Sequence, residues 1–213
     1  MLASIIGLHR LPFIEITYAG PTEIVGQRII EAEANAEQVR IHLSGSWEGP
    51  SRDGRQQIIG NLAHELAHVW QYALGTPTEP LLFHEGFAEA IAIDVLERCG
   101  AACDVDAVQL LEVQRTACAD AMFEGVILAQ TSRLAVYGCG TILARHTAAN
   151  ADTTPQAVYL RFAETGRTKS DFLDISRQRA GSTFANSAFT FLHNDHRLGQ
   201  PRRVMGLLRQ AKL

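Results

Sequence analysis

The spacing of apolar positions changes near residue 55 and divides the chain into a strand-rich start and a helical remainder. Two short segments, residues 14–18 and 39–44, alternate strictly between apolar and polar side chains. A period of two is typical of half-buried strands, so both segments are predicted to be strands. Residues 22–38 suit either a helix or one arm of a hairpin that turns near Asn35. The hairpin is favoured.

From residue 55 onward, apolar residues recur three or four positions apart, as they do on one face of a helix. The most regular segment predicts a helix over 55–74, with Ser51 or Asp53 near its start and Gly75 at its end. Further helices are predicted over residues 80–98, 104–130, 137–150, 155–164, 184–194 and 201–211. The sequence therefore predicts an α+β fold in a single domain spanning 1–213, in which a small N-terminal β-sheet (1–54, strands and loops) precedes a mainly helical body (55–213).

Composition and charge narrow the range of partners. The chain of 213 residues is 46% hydrophobic and 20% charged, which is ordinary for a soluble globular protein. Its formal net charge of -4 comes from 19 basic and 23 acidic residues without a block of like charges, so we expect no nucleic-acid partner. No stretch approaches about 18 uninterrupted apolar residues, so we expect no membrane span either.

The four cysteines show no CxxC pair and are too few for a disulfide scaffold. Cys99 and Cys103 are four positions apart, but Gly100 between them is expected to end the helix there. We therefore predict that all the cysteines, including Cys118 and Cys139, are unpaired small buried residues. With no signal peptide recognised at the start of the chain, this usage predicts a reducing, cytoplasmic location.

The residues that carry chemistry lie in the middle of the helix predicted over 55–74. His64-Glu65-Leu66-Ala67-His68 is an HExxH motif. Histidines four positions apart project from one side of a helix, so both imidazoles can reach one metal ion. Glu65 is rotated from them by about 100°, toward the side where an activated water would lie. The motif predicts His64 and His68 as metal ligands and Glu65 as the general base.

Two histidines leave a zinc ion short of one protein ligand, and Glu85 is the best candidate for it. This residue lies on the next predicted helix, 17 positions after His68, and is followed by Gly86, which is expected to let the helices approach closely. Glu89 lies one helical turn further along. It is the alternative third ligand, and otherwise the expected hydrogen-bond acceptor for a zinc-bound imidazole.

The metzincin pattern requires Gly and His at the positions held here by Gln71 and Leu74, so the arrangement is of the gluzincin type, HExxH followed by Glu-Gly. The stretch from His64 to Trp70, the turn at Gly75 and Pro77, and the Glu85-Gly86 pair resemble the peptidase domain of the DA-one-like family. Members of that family are plant growth regulators that join LIM and ubiquitin-interaction motifs to a zinc peptidase.

The resemblance covers about residues 39–166 and includes two later segments, Tyr137-Gly138-Cys139-Gly140 and Glu164-Thr165-Gly166. It implies a minimal zincin-like fold, a zinc cofactor and hydrolysis of peptide bonds. The chain has no LIM-type cysteine pairs and no ubiquitin-interaction helix, so ubiquitin-dependent control is not implied. His84 and Glu89 stand where the family has an acidic residue and a glutamine.

Position and resemblance also favour Tyr137 as the donor that stabilises the oxyanion formed when a peptide bond is attacked. Two alternatives remain at this point: Tyr137 is a core residue that caps a helix, or His146 is the donor instead. The sequence does not decide among them.

Two functions from different classes follow. The first is a zinc metallopeptidase acting on a peptide or protein substrate, with Zn²⁺ held by His64, His68 and Glu85, Glu65 as base and Tyr137 as oxyanion donor. In this hypothesis the strand over 39–44 is an edge to which an extended peptide adds. The second is a catalytically silent zincin-fold module that binds a protein partner. The presence of Glu65 argues for the first.

Overall fold

A computed structural model describes residues 2–22, 26–47, 51–123 and 133–193 of the chain. The α+β class is confirmed, with a three-stranded N-terminal sheet followed by a mainly helical body. The helix predicted over 201–211 lies outside the described residues, and so does the end of the one predicted over 104–130. Among the described residues, no helix is long and apolar enough to cross a membrane.

Contacts divide the chain into two compact units. The first consists of residues 1–76 and 92–107, and the second of residues 77–91 and 108–213. The single domain expected from chain length therefore stays a prediction, and each unit is described by itself.

The first unit contains a short helix, a mixed sheet and the long helix that carries the HExxH motif. These elements are α1 (Leu2–Ile6), β1 (Phe13–Tyr18), β2 (Arg28–Ala34), β3 (Gln38–Gly45) and α2 (Arg52–Ala73). The strand order is β1-β3-β2, with β1 parallel and β2 antiparallel to β3. The predicted strands are confirmed.

The hairpin expected to turn near Asn35 is confirmed, and the Asn35 side chain explains where it turns. The Oδ1 atom of Asn35 accepts hydrogen bonds of 2.9 Å from the backbone N–H groups of Glu37 and Gln38. Such a side-chain turn is what asparagine forms readily, and it reverses the chain between β2 and β3.

The expectation that residues 39–44 form an open edge is wrong, because β3 is the central strand. Its backbone pairs with β1 on one side and β2 on the other. Val39, Ile41 and Leu43 are buried on one face of β3, where the sheet packs against α2. In the described sheet the edges are therefore β1 and β2.

Helix α2 begins where the sequence predicted, near Ser51 and Asp53. Ser51 is the N-cap, and its side chain accepts a 3.1 Å hydrogen bond from the backbone N–H of Gly54. The helix ends at Ala73, before Gly75, whose φ of 118° favours glycine. Residues 63–71 of α2 are all buried, so the HExxH motif lies in the most enclosed part of the helix.

The remaining elements are helical: α3 (Leu81–Cys99), a 3-10 turn (Gly100–Ala102), α4 (Ala107–Phe123), α5 (Arg133–Asn150), α6 (Pro155–Ala163), α7 (Lys169–Ala180) and α8 (Ser182–His193). Aromatic rings from α3, α6 and α7 pack together in the second unit and form much of its core; they belong to Phe83, Phe87, Tyr159, Phe162 and Phe172. The apolar spacing did not indicate α7, which is mostly polar. Its capping box of Thr168 and Asp171 was the available signal.

Gly86 allows a close helix approach with α5, and the approach expected toward the HExxH helix stays a prediction. A Cβ atom added to Gly86 would lie 2.3 Å from the Cα of Gly140, and one added to Gly140 would lie 2.2 Å from the carbonyl oxygen of Leu82. Only glycine at both positions allows the backbones of α3 and α5 to come this close. Helices α3 and α5 therefore touch next to Glu85.

The expectation of unpaired cysteines is wrong. Cys99 is bonded to Cys103, and Cys118 is bonded to Cys139, so no cysteine is free. Gly100 does end α3 as expected, but the 3-10 turn that follows brings Cys103 back to Cys99. The Cys118–Cys139 bond joins α4 to α5. The cytoplasmic location stays a prediction, and the argument for it from reduced cysteines no longer holds.

The carboxylate of Glu79 connects the start of α3 with α6 and the turn before α7. Its side chain is fully buried and accepts hydrogen bonds from the Tyr159 hydroxyl, from His84 Nδ1 at 3.3 Å and from Arg167 Nη1 at 3.4 Å. Burial by itself raises the pKa of Glu79, but hydrogen bonds, with those from His84 and Tyr159 the largest, outweigh burial and lower this pKa to about 2.

Replacing Glu79 with Gln should lower the free energy of unfolding at pH 7 by about 3 kcal/mol, because Arg167 loses its buried anion. A lowered carboxyl pKa stabilises the folded state above the ordinary value of 4.5, and this contribution is lost as pH falls toward 2. The gap between wild type and Glu79→Gln should therefore narrow below pH 4.5. Urea unfolding at several pH values, with a chelator present throughout, measures it.

The matched control is Glu33→Gln, which removes a carboxylate that is 70% exposed and pairs with Arg40 at 3.2 Å. Its effect should stay within about 0.5 kcal/mol at every pH. An equal effect of the two substitutions would show that the buried Glu79 cluster contributes nothing special to stability.

Candidate metal centre

The two histidines of the HExxH motif lie on successive turns of α2, and each is only 6% exposed. Their rings meet edge to face, and the Nε2 atoms of His64 and His68 are 3.0 Å apart. Two nitrogens that each lie ~2.0–2.1 Å from a tetrahedral zinc ion are about 3.3 Å apart. The pair therefore fits two ligands of one metal ion.

Gln71, which stands where metzincins have a glycine, contacts one of these histidines. Gln71 is fully buried, and the Nδ1 atom of His68 lies 2.8 Å from its Oε1 atom. The position of Gln71, one turn beyond His68 on the same helix, was the available signal.

Glu65 follows His64 on α2 and is 6% exposed. A buried carboxylate at this position of the motif has the chemistry of a proton acceptor.

Glu85 lies on α3 and is partly buried. The potential ligand atoms of His64, His68 and Glu85 all lie within 4.8 Å of one another, so the three residues form one group capable of holding a metal ion. Two imidazoles and a carboxylate are a donor set that suits zinc and leaves a fourth position open. The residues present therefore fit the expected cofactor.

Glu89, the other acidic candidate, also lies on α3. Its Oε1 atom accepts a 2.9 Å hydrogen bond from the Nε2 of Gln114 on α4. The roles predicted for Glu89, as alternative ligand or as acceptor for a zinc-bound imidazole, stay predictions.

Tyr137 and His146 both lie on α5 but project from opposite sides, because nine residues at about 100° each amount to half a turn. Relative to Gly140, which touches α3, Tyr137 is rotated by about 60° and His146 by about 120° the other way. Tyr137 is partly buried. Of the two, it lies nearer the side of α5 that meets α3 beside Glu85.

His146 is 4% exposed, and its Nδ1 atom has no hydrogen-bond partner in the described part of the chain. Burial, together with the positive charges of Arg115 and Arg145, lowers the pKa of His146 to about 4. The imidazole is therefore neutral at pH 7.

Residues 17–100 match a family described as Peptidase of plants and bacteria. The match runs from β1 to the end of α3 and includes every residue of the candidate metal group. It supports a peptidase-like family and so favours hydrolysis as the type of reaction. Tyr137 and His146 lie beyond the matched residues. Neither a curated protein nor a solved structure matches the chain.

Proposed function

We propose that the protein is a zinc-dependent metallopeptidase of the gluzincin type, in which His64, His68 and Glu85 hold the metal. The observation that carries the proposal is the 3.0 Å separation of two buried imidazole Nε2 atoms on one helix. Two neutral imidazoles at this distance can share at most one N–H···N hydrogen bond, whereas a shared cation would bind the lone pairs of both.

Zinc held there would lower the pKa of a water molecule to about 7 and so supply a strong nucleophile at neutral pH. Glu65 would accept a proton from the attacking water and deliver it to the leaving amine. The same carboxylate serves as base and acid in turn. Its place beside His64 on α2 supports this role.

We assign the oxyanion donor to Tyr137. Peptide hydrolysis builds negative charge on the former carbonyl oxygen, and a hydroxyl aimed at that oxygen stabilises the transition state. The contact of α3 with α5 at Gly86 and Gly140 supports Tyr137 over His146, because only Tyr137 lies toward this contact.

The substrate is expected to be an extended peptide that adds to the sheet at β2. Because β3 is paired on both sides, it has no free edge for a peptide. The strand to which the peptide adds is therefore expected to be an edge strand. Of the two edges, β2 packs against α2, the helix that carries His64 and His68.

Purified protein supplied with zinc should bind close to one zinc ion per chain. His64→Ala or His68→Ala should abolish this binding, whereas His42→Ala, on an exposed strand position, should leave it intact. Glu85→Gln should weaken the metal more than Glu89→Gln, because losing a ligand removes a bond and a charge. Metal analysis and chelator competition measure both.

Wild-type protein that binds no zinc after supplementation would contradict the proposal. A larger effect at Glu89 than at Glu85 would move the third ligand to Glu89.

Glu65→Gln should retain zinc and the fold but abolish cleavage, because glutamine keeps the shape of the side chain and accepts no proton at neutral pH. Digestion of a peptide library by wild type and variant, compared at equal zinc content, measures the loss. If wild type holds zinc and binds peptides without cleaving any of them, the protein is the catalytically silent binding module instead.

Tyr137→Phe should lower kcat by about 10²–10³ with little change in KM, since the hydroxyl acts only where charge develops in the transition state. His146→Gln, the matched variant on the opposite side of α5, should leave kcat per folded molecule unchanged. Steady-state kinetics on any peptide that the wild type cleaves measures both. An unchanged kcat in Tyr137→Phe together with a fall in His146→Gln would transfer the role to His146.

A further inference from the structure

The hydrogen bond between His68 and Gln71 links a proposed metal ligand to a side chain with no assigned role. His68 Nδ1 and Gln71 Oε1 are 2.8 Å apart, and both residues are buried. A carbonyl-type oxygen only accepts, so this contact requires the proton of the neutral imidazole to lie on Nδ1. The lone pair is then on Nε2.

The Nε2 atom of His68 is the one that lies 3.0 Å from His64 Nε2, on the side where the metal is proposed. A proton on Nδ1 therefore leaves free the nitrogen that must bind zinc. The hydrogen bond also fixes the orientation of the ring, because both groups project from neighbouring turns of one helix.

The contact belongs to α2 alone, so it needs no side chain from another element. The sequence suggested this task for Glu89, whose Oε1 atom accepts a hydrogen bond from Gln114; its role toward an imidazole stays a prediction. A neutral amide oxygen also differs from a carboxylate in kind, since it orders the imidazole without adding a negative charge to a buried site.

We propose that Gln71 is the positioning residue that holds His68 in its Nε2-ligating tautomer and orientation. The inference rests on the proposed zinc site, since its consequence is a higher affinity for zinc. It also makes a claim about the metal-free protein, because the tautomer is set by Gln71 whether or not zinc is bound.

The test compares Gln71→Leu, which removes the acceptor, with Gln71→Glu, which keeps one. The control is Gln114→Leu, which removes a partly buried amide that donates to Glu89. In a competition with a chromophoric chelator, Gln71→Leu should weaken zinc binding 10–100-fold. Gln71→Glu should recover most of the lost zinc affinity. Gln114→Leu should bind zinc as the wild type does.

The second readout is the nitrogen-15 spectrum of the imidazoles in metal-free protein, with the His68 signals assigned by their loss in His68→Ala. Wild type should carry the His68 proton on Nδ1, and Gln71→Leu should shift it toward Nε2. Wild-type zinc affinity in Gln71→Leu, or an unchanged tautomer, would overturn the inference. If the wild type has the Nδ1 tautomer but binds no zinc, the proposed function fails while the tautomer assignment stands.

Discussion

Two imidazole rings enclosed in the middle of one helix, with nitrogens 3.0 Å apart, are the constraint on which the rest of the molecule depends. Buried polar groups are costly unless each finds a partner, so the histidines need hydrogen-bond partners or a cation, and α2 has to be held in one place. The sheet holds α2, because β3 presents Val39, Ile41 and Leu43 to it. Gln71, on the same helix, supplies a hydrogen-bond partner for His68.

The second unit gives a comparable rigidity to the start of α3. Gly86 and Gly140 allow the backbones of α3 and α5 to touch, and the Cys118–Cys139 bond joins α5 to α4. The buried carboxylate of Glu79 anchors the residues just before α3 to α6 and to the turn at Arg167. Glu85 and Tyr137, 52 positions apart in the sequence, thus lie on helices in direct contact. The proposed roles of these residues, metal ligand and oxyanion donor, would need such mutual fixation, since a small displacement of either would cost much of the rate.

The features that could be predicted from the sequence are those that local patterns determine. The period of two indicated β1 and β3, the period near 3.6 indicated α2 and α3, and Asn35 marked the hairpin. Two of the errors concern pairings between distant residues, whereas the local Cys99–Cys103 bond was missed because the 3-10 turn after Gly100 was not expected. Strand order depends on β1 joining β3 in parallel, and no local pattern shows whether Cys118 meets Cys139. Helix α7 was missed for a different reason, because its polar composition weakens the apolar period while its cap does not depend on that period.

The same distinction between local and distant relations holds for the residues of the candidate site. His64, Glu65 and His68 could be grouped from the sequence because one helix carries all three, and a helix converts spacing directly into direction. Gln71 was available to the same argument, but a neutral amide is seldom sought beside a metal site, where carboxylates are expected. The proposed donor Tyr137 comes from another helix and lies beyond residues 17–100, the part that matches a peptidase family. The two parts of the mechanism therefore have independent support: the metal group stands on geometry and the family match, and the donor stands on the contact of α3 with α5. Within the proposed function, losing Tyr137 would call for another donor, whereas losing the histidine pair would leave no place for the metal that is proposed to activate the water.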